Sequence, residues 1–438
     1  MSMLDVASVS IACPAVSATQ HSYAVAAAVA GNAIEWFDFS VYAFLATIIG
    51  HHFFPSKEPG VSLLAAFAVF GVGFVVRPLG GLVIGRLGDR RGRKFTLIFS
   101  MLLMTAMTVL IGILPVYSTV GYAAPILLVV ARLGQGFAVG GEWGNSSAFL
   151  VESAPDSRRG FYGSFQTFSS NVGILSGSGL CALLTTTLGE TAMADWGWRL
   201  PFLFAALLGL VAAAMRRAMH DPQIYQRAIS EAVPSHVDHA VHTVPLALRA
   251  LQALAIVLPF TVGSYIFLTY MPTFVITQVK LAPAEALWSG TIAVLASALM
   301  VPVFGALSDK IGRKPQLVTA CILFIVLPYP LFRLLLSGAG FWTVLPVQIC
   351  FNLTYALVGS TAAATLSELF PTRSRASWVT ALYALAVTVF GGFAPFIATG
   401  LIRLTGQPIA PIYYIISAGF VALLIMCTLK ETAFHRLP

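Results

Sequence analysis

Several runs of roughly twenty apolar residues, separated by short polar turns, restrict this 438-residue chain more than any other feature. A run of that length crosses about 30 Å of hydrocarbon as a helix. Inside hydrocarbon every backbone N–H and C=O must find its partner within the protein, which leaves the helix as the solution for a single segment. Composition points the same way. Hydrophobic residues make up 58% of the chain and charged residues 10%, whereas a soluble domain is about a quarter charged. Twelve spans are predicted, over about 22–50, 61–86, 95–114, 122–150, 159–187, 197–219, 247–277, 285–307, 315–337, 341–369, 375–402 and 410–430. The class is an all-α integral membrane protein.

Two motifs recur half a chain apart. The basic turn Gly85-Arg86-Leu87-Gly88-Asp89-Arg90-Arg91-Gly92-Arg93-Lys94 returns 220 positions later as Gly305-Ala306-Leu307-Ser308-Asp309-Lys310-Ile311-Gly312-Arg313-Lys314. Glu152-Ser153-Ala154-Pro155-Asp156-Ser157-Arg158-Arg159 follows the fourth span, and Glu368-Leu369-Phe370-Pro371-Thr372-Arg373-Ser374-Arg375 follows the tenth. In the second pair Glu, Pro and the final Arg align at an offset of 216. Nearly equal offsets predict two parallel repeats of six spans. The expected division is a tail over 1–21, a six-helix bundle over 22–219, a linker over 220–246, a second six-helix bundle over 247–430 and a tail over 431–438.

The net charge of +8 is unevenly placed. With the 85–94 turn in the cytoplasm, Lys57, Arg199, Lys280, Arg333 and Arg403 lie on the other side and Arg77 and Arg132 within spans. The remaining Lys and Arg then face the cytoplasm, as the positive-inside rule requires. Both termini are therefore expected in the cytoplasm, in a multi-pass inner-membrane protein. This basic balance is topological, so no nucleic-acid partner is expected. The five Cys are scattered, and His220, His236, His239 and His242 of the linker are irregularly spaced, so no metal or redox site is expected. The first 21 residues lack a basic n-region and a cleavage site, so the first span is expected to act as an uncleaved signal.

These motifs carry a family resemblance. The two G-x-x-x-D-[RK]-x-G-R-K turns, with Arg132-Leu133-Gly134-Gln135-Gly136, resemble signatures of the major facilitator superfamily. Four narrower stretches resemble its metabolite:proton symporter branch, which includes citrate, 2-oxoglutarate, shikimate and proline/betaine permeases. They are Gly31-Asn32-Ala33-Ile34-Glu35-Trp36-Phe37-Asp38-Phe39, Gly73-Phe74-Val75-Val76-Arg77-Pro78-Leu79-Gly80-Gly81, Gly136-Phe137-Ala138-Val139-Gly140-Gly141-Glu142 and Trp196-Gly197-Trp198-Arg199-Leu200-Pro201-Phe202. The resemblance runs from about residue 25 to 430. It implies two six-helix bundles around a central cavity, alternating access, no cofactor beyond the proton as coupling ion, and a monomer in lipid. It also implies a cytoplasmic gate in which Asp89, Arg90, Arg93, Asp309, Lys310 and Arg313 pair with one another and with Glu152 and Glu368. Exposed there, each pair is worth little, which suits a latch broken in every cycle.

Within the spans, Glu35, Asp38 and Tyr42 fall at i, i+3 and i+7 and share a helical face. A carboxylate near mid-membrane costs several kcal/mol unless protonated or paired, so Glu35 and Asp38 are either proton carriers or members of fixed ion pairs. Arg77 lies twelve residues before Asp89, about 18 Å from the turn, and Arg132 lies at similar depth. Pro78 frees a carbonyl beside Arg77 by removing a helix hydrogen bond. Deep guanidiniums must face a cavity or an acid. Either they hold an anionic substrate, whose carboxylate fits the planar fork, or they pair permanently with Glu35, Asp38 or Glu142. On an ideal helix Glu142 is turned about 80° from Arg132 and about 20° from Gln135, so all three border one cavity. Glu142 is thus the third proton-coupling candidate. Glycines at 134, 136, 140, 141 and 144 give the fourth span a smooth surface for close packing.

Polar clusters mark the fifth span (Ser164, Gln166, Ser169, Ser170, Asn171), the seventh (Tyr265, Thr269, Tyr270) and the tenth (Gln348, Asn352, Thr354, Tyr355). Such groups line a cavity or bond across helices. The substrate-binding candidates are Arg77, Arg132, Tyr42, Gln135, Gln166, Asn171, Asn352 and Tyr265. The functional expectation is a proton-coupled symporter importing a small organic anion, a di- or tricarboxylate such as citrate or 2-oxoglutarate. The Gln166 region and Val389-Phe390-Gly391-Gly392-Phe393-Ala394-Pro395 resemble carboxylate permeases. The alternatives are a zwitterion such as proline or betaine, shikimate, or passive facilitation. A quaternary amine would want an aromatic cage, for which Trp36, Phe37, Phe39, Tyr42, Phe165, Phe168 and Tyr265 are available. No metal spacing or nucleophile elbow supports an enzyme.

Overall fold

The computed structural model describes residues 18–91, 93–140, 142–218, 245–338, 340–435 and 437. The expected linker with its histidines lies outside the described residues except for 245 and 246, and so do the side chains of Asp89, Arg90, Arg93 and Glu142. The twelve predicted spans correspond to twelve apolar helical stretches: six long ones, two bent pairs and four shorter helices.

In chain order, α1 is Ala18–Phe44 with Ala46–Phe53, α2 is Pro59–Val75 with Arg77–Arg91, and α3 is Arg93–Ile113. α4 is Ala123–Ala138 with Glu142–Glu152, α5 is Arg159–Ala192 and α6 is Arg199–Ala218. The second half begins with α7, Leu246–Gly263, which continues through π-helical turns at Ser264–Tyr270 and Val275–Val279. Then come α8, Pro283–Ile311; α9, Arg313–Val326 with Pro328–Leu335; and α10, Phe341–Leu369. α11 is Thr372–Ala386 with Ala394–Thr405, and α12 is Pro411–Met426.

The breaks have causes in the sequence. Pro328 lacks the N–H that would continue α9, and the helix bends by 43° there. In α7 Pro272 sits between the two π-turns, where i→i+5 bonding absorbs the missing donor. α4 stops at Ala138 and restarts at Glu142. That break corrects the ideal-helix extrapolation from Arg132 to Glu142: the two residues lie on separate segments, so an angle carried across them has no meaning.

Within the first half α1 packs on α5 and α6, and α3 on α4 and α6. Within the second, α8 packs on α10, and α12 on α7 and α9. The halves meet where α5 runs along α8 and α10, and where α11 crosses α2 and α4. One close backbone approach is at the end that carries the basic turns, called here the basic face. A Cβ on Gly305 would sit 2.7 Å from the Gly160 carbonyl, and a Cβ on Gly160 2.6 Å from that of Gly305. At the far face Arg403 reaches Glu58 at 2.8 Å. The two halves therefore touch at both faces. Small voids of about 20 and about 10 Å³ lie among the described residues near the centre of the molecule.

Candidate functional site

The centre of the molecule is a layer of guanidinium and aromatic groups. Arg132 is fully buried. Its Nη1 donates to Gln135 Oε1 at 2.8 Å and its Nη2 to the Phe70 carbonyl at 3.3 Å. Gln135 in turn donates to Thr108 Oγ1 at 2.7 Å. The Arg132 guanidinium lies over the rings of Tyr42, Phe70 and Phe39, at 4.4, 4.8 and 5.1 Å. Tyr42 is held by a hydrogen bond from its hydroxyl to the Ala66 carbonyl, 3.0 Å.

Arg77 comes from the break in α2. Pro78 offers no N–H to the carbonyl of Phe74, four residues earlier, and Thr388, in the π-helical turn Val387–Gly391 between the two segments of α11, donates to that carbonyl instead, at 3.0 Å. A helix defect in one half is thus closed by the other half. The Arg77 guanidinium stands over Phe74 and Phe39 at 4.3 and 4.6 Å, and its Nε is buried without a partner among the described residues. Tyr265 of α7 completes the layer, 5.3 Å from Phe74, 5.9 Å from Phe70 and 6.0 Å from Trp36. Its hydroxyl, the Trp36 Nε1 and both oxygens of the buried Asp38 have no hydrogen-bond partner among the described residues.

Arg77, Arg132, Tyr42, Gln135 and Tyr265 therefore converge. Three other candidates do not join them. Gln166 bonds Asn32 in the seam between α1 and α5, at 3.3 Å. Asn171 donates to Ser297 of α8 at 2.9 Å, stitching the halves. Asn352 donates to the Gln348 carbonyl at 2.9 Å, inside the second half. These are the cross-helix bonds that polar groups inside a bundle commonly make.

A second layer lies at the basic face. Glu368 of α10 accepts from Arg159 at 3.3 Å and from Arg313 at 3.4 Å. Arg313 also meets Asp309 at 2.8 Å. Asp309 caps the start of α5, accepting from the backbone N–H of Gly160 and Phe161 at 2.8 and 2.9 Å, where a helix N-terminus favours negative charge. Arg375 meets Glu152 at 2.6 Å. The offset of 216 now has a geometric meaning: the acid of each copy pairs with the arginine of the other copy. Gly312 adopts φ +99°, the left-handed region that a side chain avoids, and so lets the chain turn from α8 into α9.

The expectation of exposed pairs is corrected here. Arg159, Arg313, Arg375 and Glu368 are all buried, and the glycine contact between α5 and α8 sets Gly160 directly against Arg313. Lys310 is exposed and takes part in none of the described ion pairs; one step along α8 turns it about 100° from Asp309. Between the two layers Trp143 of α4 stacks face to face on Tyr383 of α11, 3.9 Å between ring centres and 3° between planes.

The model of the Major Facilitator Superfamily matches residues 25–395 and, again, 253–436. The chain belongs to the Major Facilitator Superfamily. It is a membrane transporter and not an enzyme. A proline/betaine transporter of Escherichia coli (strain K12) is 35% identical over 426 residues, 94% of this chain and 83% of that protein. A citrate-proton symporter of Klebsiella pneumoniae is 34% identical over 404 residues, 91% of this chain and 89% of that protein. Among solved structures, a xylose transporter of E. coli in a partially occluded inward-open conformation shares the fold. Its TM-score is 0.74 at 18% identity, over 94% of this chain and 98% of that one.

Several residues of this superfamily member escaped the sequence reading. Arg159 and Arg375 were legible as the aligned final Arg of a repeated motif, and that alignment was their signal. Glu431 caps α9 through the N–H groups of Arg313 and Lys314, at 2.8 and 3.1 Å. Phe70 and Phe74 had no signal, since nothing in an apolar span marks which ring will meet a cation.

Proposed function

We propose that the chain is a proton-coupled symporter that imports a small organic anion, a di- or tricarboxylate such as citrate or 2-oxoglutarate, by alternating access. It acts as a monomer in lipid, with the basic face and both termini in the cytoplasm. One observation carries this reading. Arg77 and Arg132 are buried at mid-span, and none of the ion pairs among the described residues includes either of them. A desolvated cation–π contact is worth about 2 kcal/mol, less than the several kcal/mol needed to bury an ion. A substrate carboxylate between the two forks would supply a charge that none of the described ion pairs gives them. No resident cofactor enters the reading. The proton is the coupling ion, and Glu35, Asp38 and Glu142 are its candidate carriers.

A zwitterion such as glycine betaine is the second reading, favoured by the aromatic groups in the same layer. Its carboxylate would take the arginines and its ammonium a ring face. The rings of Phe39, Tyr42, Phe70 and Phe74 already face guanidiniums, which would repel an ammonium. Phe37 packs on Phe204, and Phe165 on Phe168. Trp36 and Tyr265 remain, too few for a closed cage.

The test is uptake of labelled citrate, 2-oxoglutarate, shikimate and glycine betaine into proteoliposomes, with and without an inward proton gradient, for wild type and Arg132→Lys. Gradient-driven accumulation of a carboxylate, lost in the variant, is the expected result. Accumulation of betaine alone would move the substrate to the second reading, and equilibration without accumulation would make the protein a facilitator.

A further inference from the structure

The repeat that relates the motifs of the basic face also relates positions at mid-span. The offset of 216 that carries Glu152 to Glu368 carries Arg132 of α4 to Gln348 of α10. The offset of 220 between the basic turns carries Phe70 of α2 to Gly290 of α8. The fold keeps each pair together. Arg132 reaches the Phe70 carbonyl at 3.3 Å, and a Cβ on Gly290 would lie 3.6 Å from Gln348 Oε1 and 3.0 Å from Pro272 of α7. Gln348 is thus the second half's counterpart of Arg132. It is fully buried, and neither its Oε1 nor its Nε2 has a hydrogen-bond partner among the described residues. One turn along α10, Asn352 is buried as well. Its Nδ2 donates to the Gln348 and Phe267 carbonyls at 2.9 and 3.4 Å, while its Oδ1 has no partner among the described residues.

We propose that Gln348 and Asn352 form the subsite for a hydroxyl group of the substrate, so that the carrier selects hydroxylated carboxylates. This rests on the organic-anion reading above and narrows it. Donors and acceptors decide the class of ligand. A side-chain amide offers two N–H donors and a carbonyl acceptor, and burying it with both ends unmet costs free energy until something meets them. Two of the three unmet atoms are acceptors, Gln348 Oε1 and Asn352 Oδ1. The group that meets them must therefore bring a hydrogen. A ketone or a carboxylate only accepts, and would leave both oxygens stranded. A quaternary ammonium has no N–H to give. An ammonium with N–H groups donates, but accepts nothing from Gln348 Nε2. A hydroxyl does both: its hydrogen goes to one of the two oxygens, and its own oxygen accepts from Nε2. With a carboxylate on Arg132 and a hydroxyl on Gln348, one small molecule engages equivalent positions of the two halves. The halves then differ in the way the ligand differs along its length, a cation for the charged end and an amide for the neutral polar one.

The experiment is calorimetric titration of the purified protein in lipid nanodiscs, with acids in matched pairs. Citrate is set against tricarballylate, the same tricarboxylate without the hydroxyl. Shikimate is set against cyclohexenecarboxylate, and 2-hydroxyglutarate against 2-oxoglutarate. Leaving a buried polar atom unmet costs a factor of roughly five to 150 in binding. In any pair that binds, the wild type is expected to prefer the hydroxylated member by a factor in that range. Gln348→Met keeps an unbranched side chain of similar length and removes the amide. The two members of the pair should then bind alike, with the hydroxylated one losing affinity. The wild-type comparison needs no variant, so it decides the matter even where Gln348→Met does not fold. Equal affinities within a pair in the wild type would overturn the proposal, and so would an undiminished preference in Gln348→Met; both outcomes leave the anion reading standing. If none of the six acids binds, the anion reading itself fails and the proposal falls with it.

Discussion

The central layer and the basic-face layer bury charge to a similar degree and treat it in opposite ways. At the basic face Arg159, Arg313 and Arg375 meet Glu368, Asp309 and Glu152, and each arginine has a carboxylate from the protein. In the centre Arg77, Arg132 and Asp38 are just as buried, and none belongs to a described ion pair. Burial alone therefore does not separate a lock from a binding site. The difference is whether the protein completes its own charge or leaves completion to something that arrives. The basic-face layer is self-complementary in this conformation, and under the proposed alternating access it must be broken for that face to open. Under the proposed function, the centre is complementary to what it carries.

The sharpest way to break the comparison is Arg132→Ala. If the central guanidinium is the ligand's counter-charge, its loss costs about 2–5 kcal/mol of binding, roughly thirtyfold to several thousandfold in uptake efficiency. Arg132→Lys should fare little better. An ammonium cannot hold the Gln135 and Phe70 oxygens while offering a planar fork. Initial rates in proteoliposomes decide the matter, and uptake near wild type in Arg132→Ala would place the substrate elsewhere.

Glu368→Gln attacks the lock. It takes the charge from a buried acid that serves two arginines and also accepts from the Thr432 hydroxyl. Removing one partner of a buried pair costs about 3–5 kcal/mol, here charged against the closed conformation. The basic face should open more often. A cysteine placed at buried Ser367 should then react with a soluble alkylating reagent on the order of a hundredfold faster than in the Glu368 background. An unchanged rate would mean that the ion pairs orient the chain and do not hold it shut.

The sequence makes the lock partly legible. The repeated motifs single out Glu152, Glu368 and Asp309, and their nearly equal offsets predict two halves. A repeat says which residues are equivalent; it does not say which copy faces which. The exchange of Arg159 and Arg375 between the halves comes from the two-fold arrangement, which a linear pattern cannot carry. Burial of the lock was also out of reach, because it comes with contacts across the interface, such as that of Gly160 with Arg313. In the centre, the depth of Arg77 and Arg132 follows from counting along a helix. The surrounding rings do not, since every position of an all-apolar span reads alike. Pro78 announced a free carbonyl, and only the fold supplied Thr388 to fill it.

The stack of Trp143 on Tyr383 lies between the two layers, and Trp143→Leu tests what it does. Face-to-face aromatic contact is worth about 0.5–1.5 kcal/mol beyond the area it buries, or roughly two- to tenfold. If the pair closes the route from the centre to the basic face, efflux of preloaded substrate should quicken by that factor, with little change in the affinity set by Arg132. A change confined to affinity would assign the ring to the binding layer.

The smallest effect is expected at Glu152, and it separates equivalence in sequence from equivalence in energy. Glu152 and Glu368 occupy matching positions in the repeat. Their surroundings differ: the Glu152 side chain is 41% exposed and that of Glu368 is 2% exposed. A half-exposed pair contributes about 0.2–1 kcal/mol. Arg375 also keeps the Ser367 and Phe370 carbonyls at 2.7 and 3.2 Å when the acid is neutralised. Glu152→Gln should therefore raise the alkylation rate at position 367 only a few fold, far below Glu368→Gln. Equal effects in the two variants would mean that the reciprocal pairs act as one symmetric clasp, with burial irrelevant to its strength.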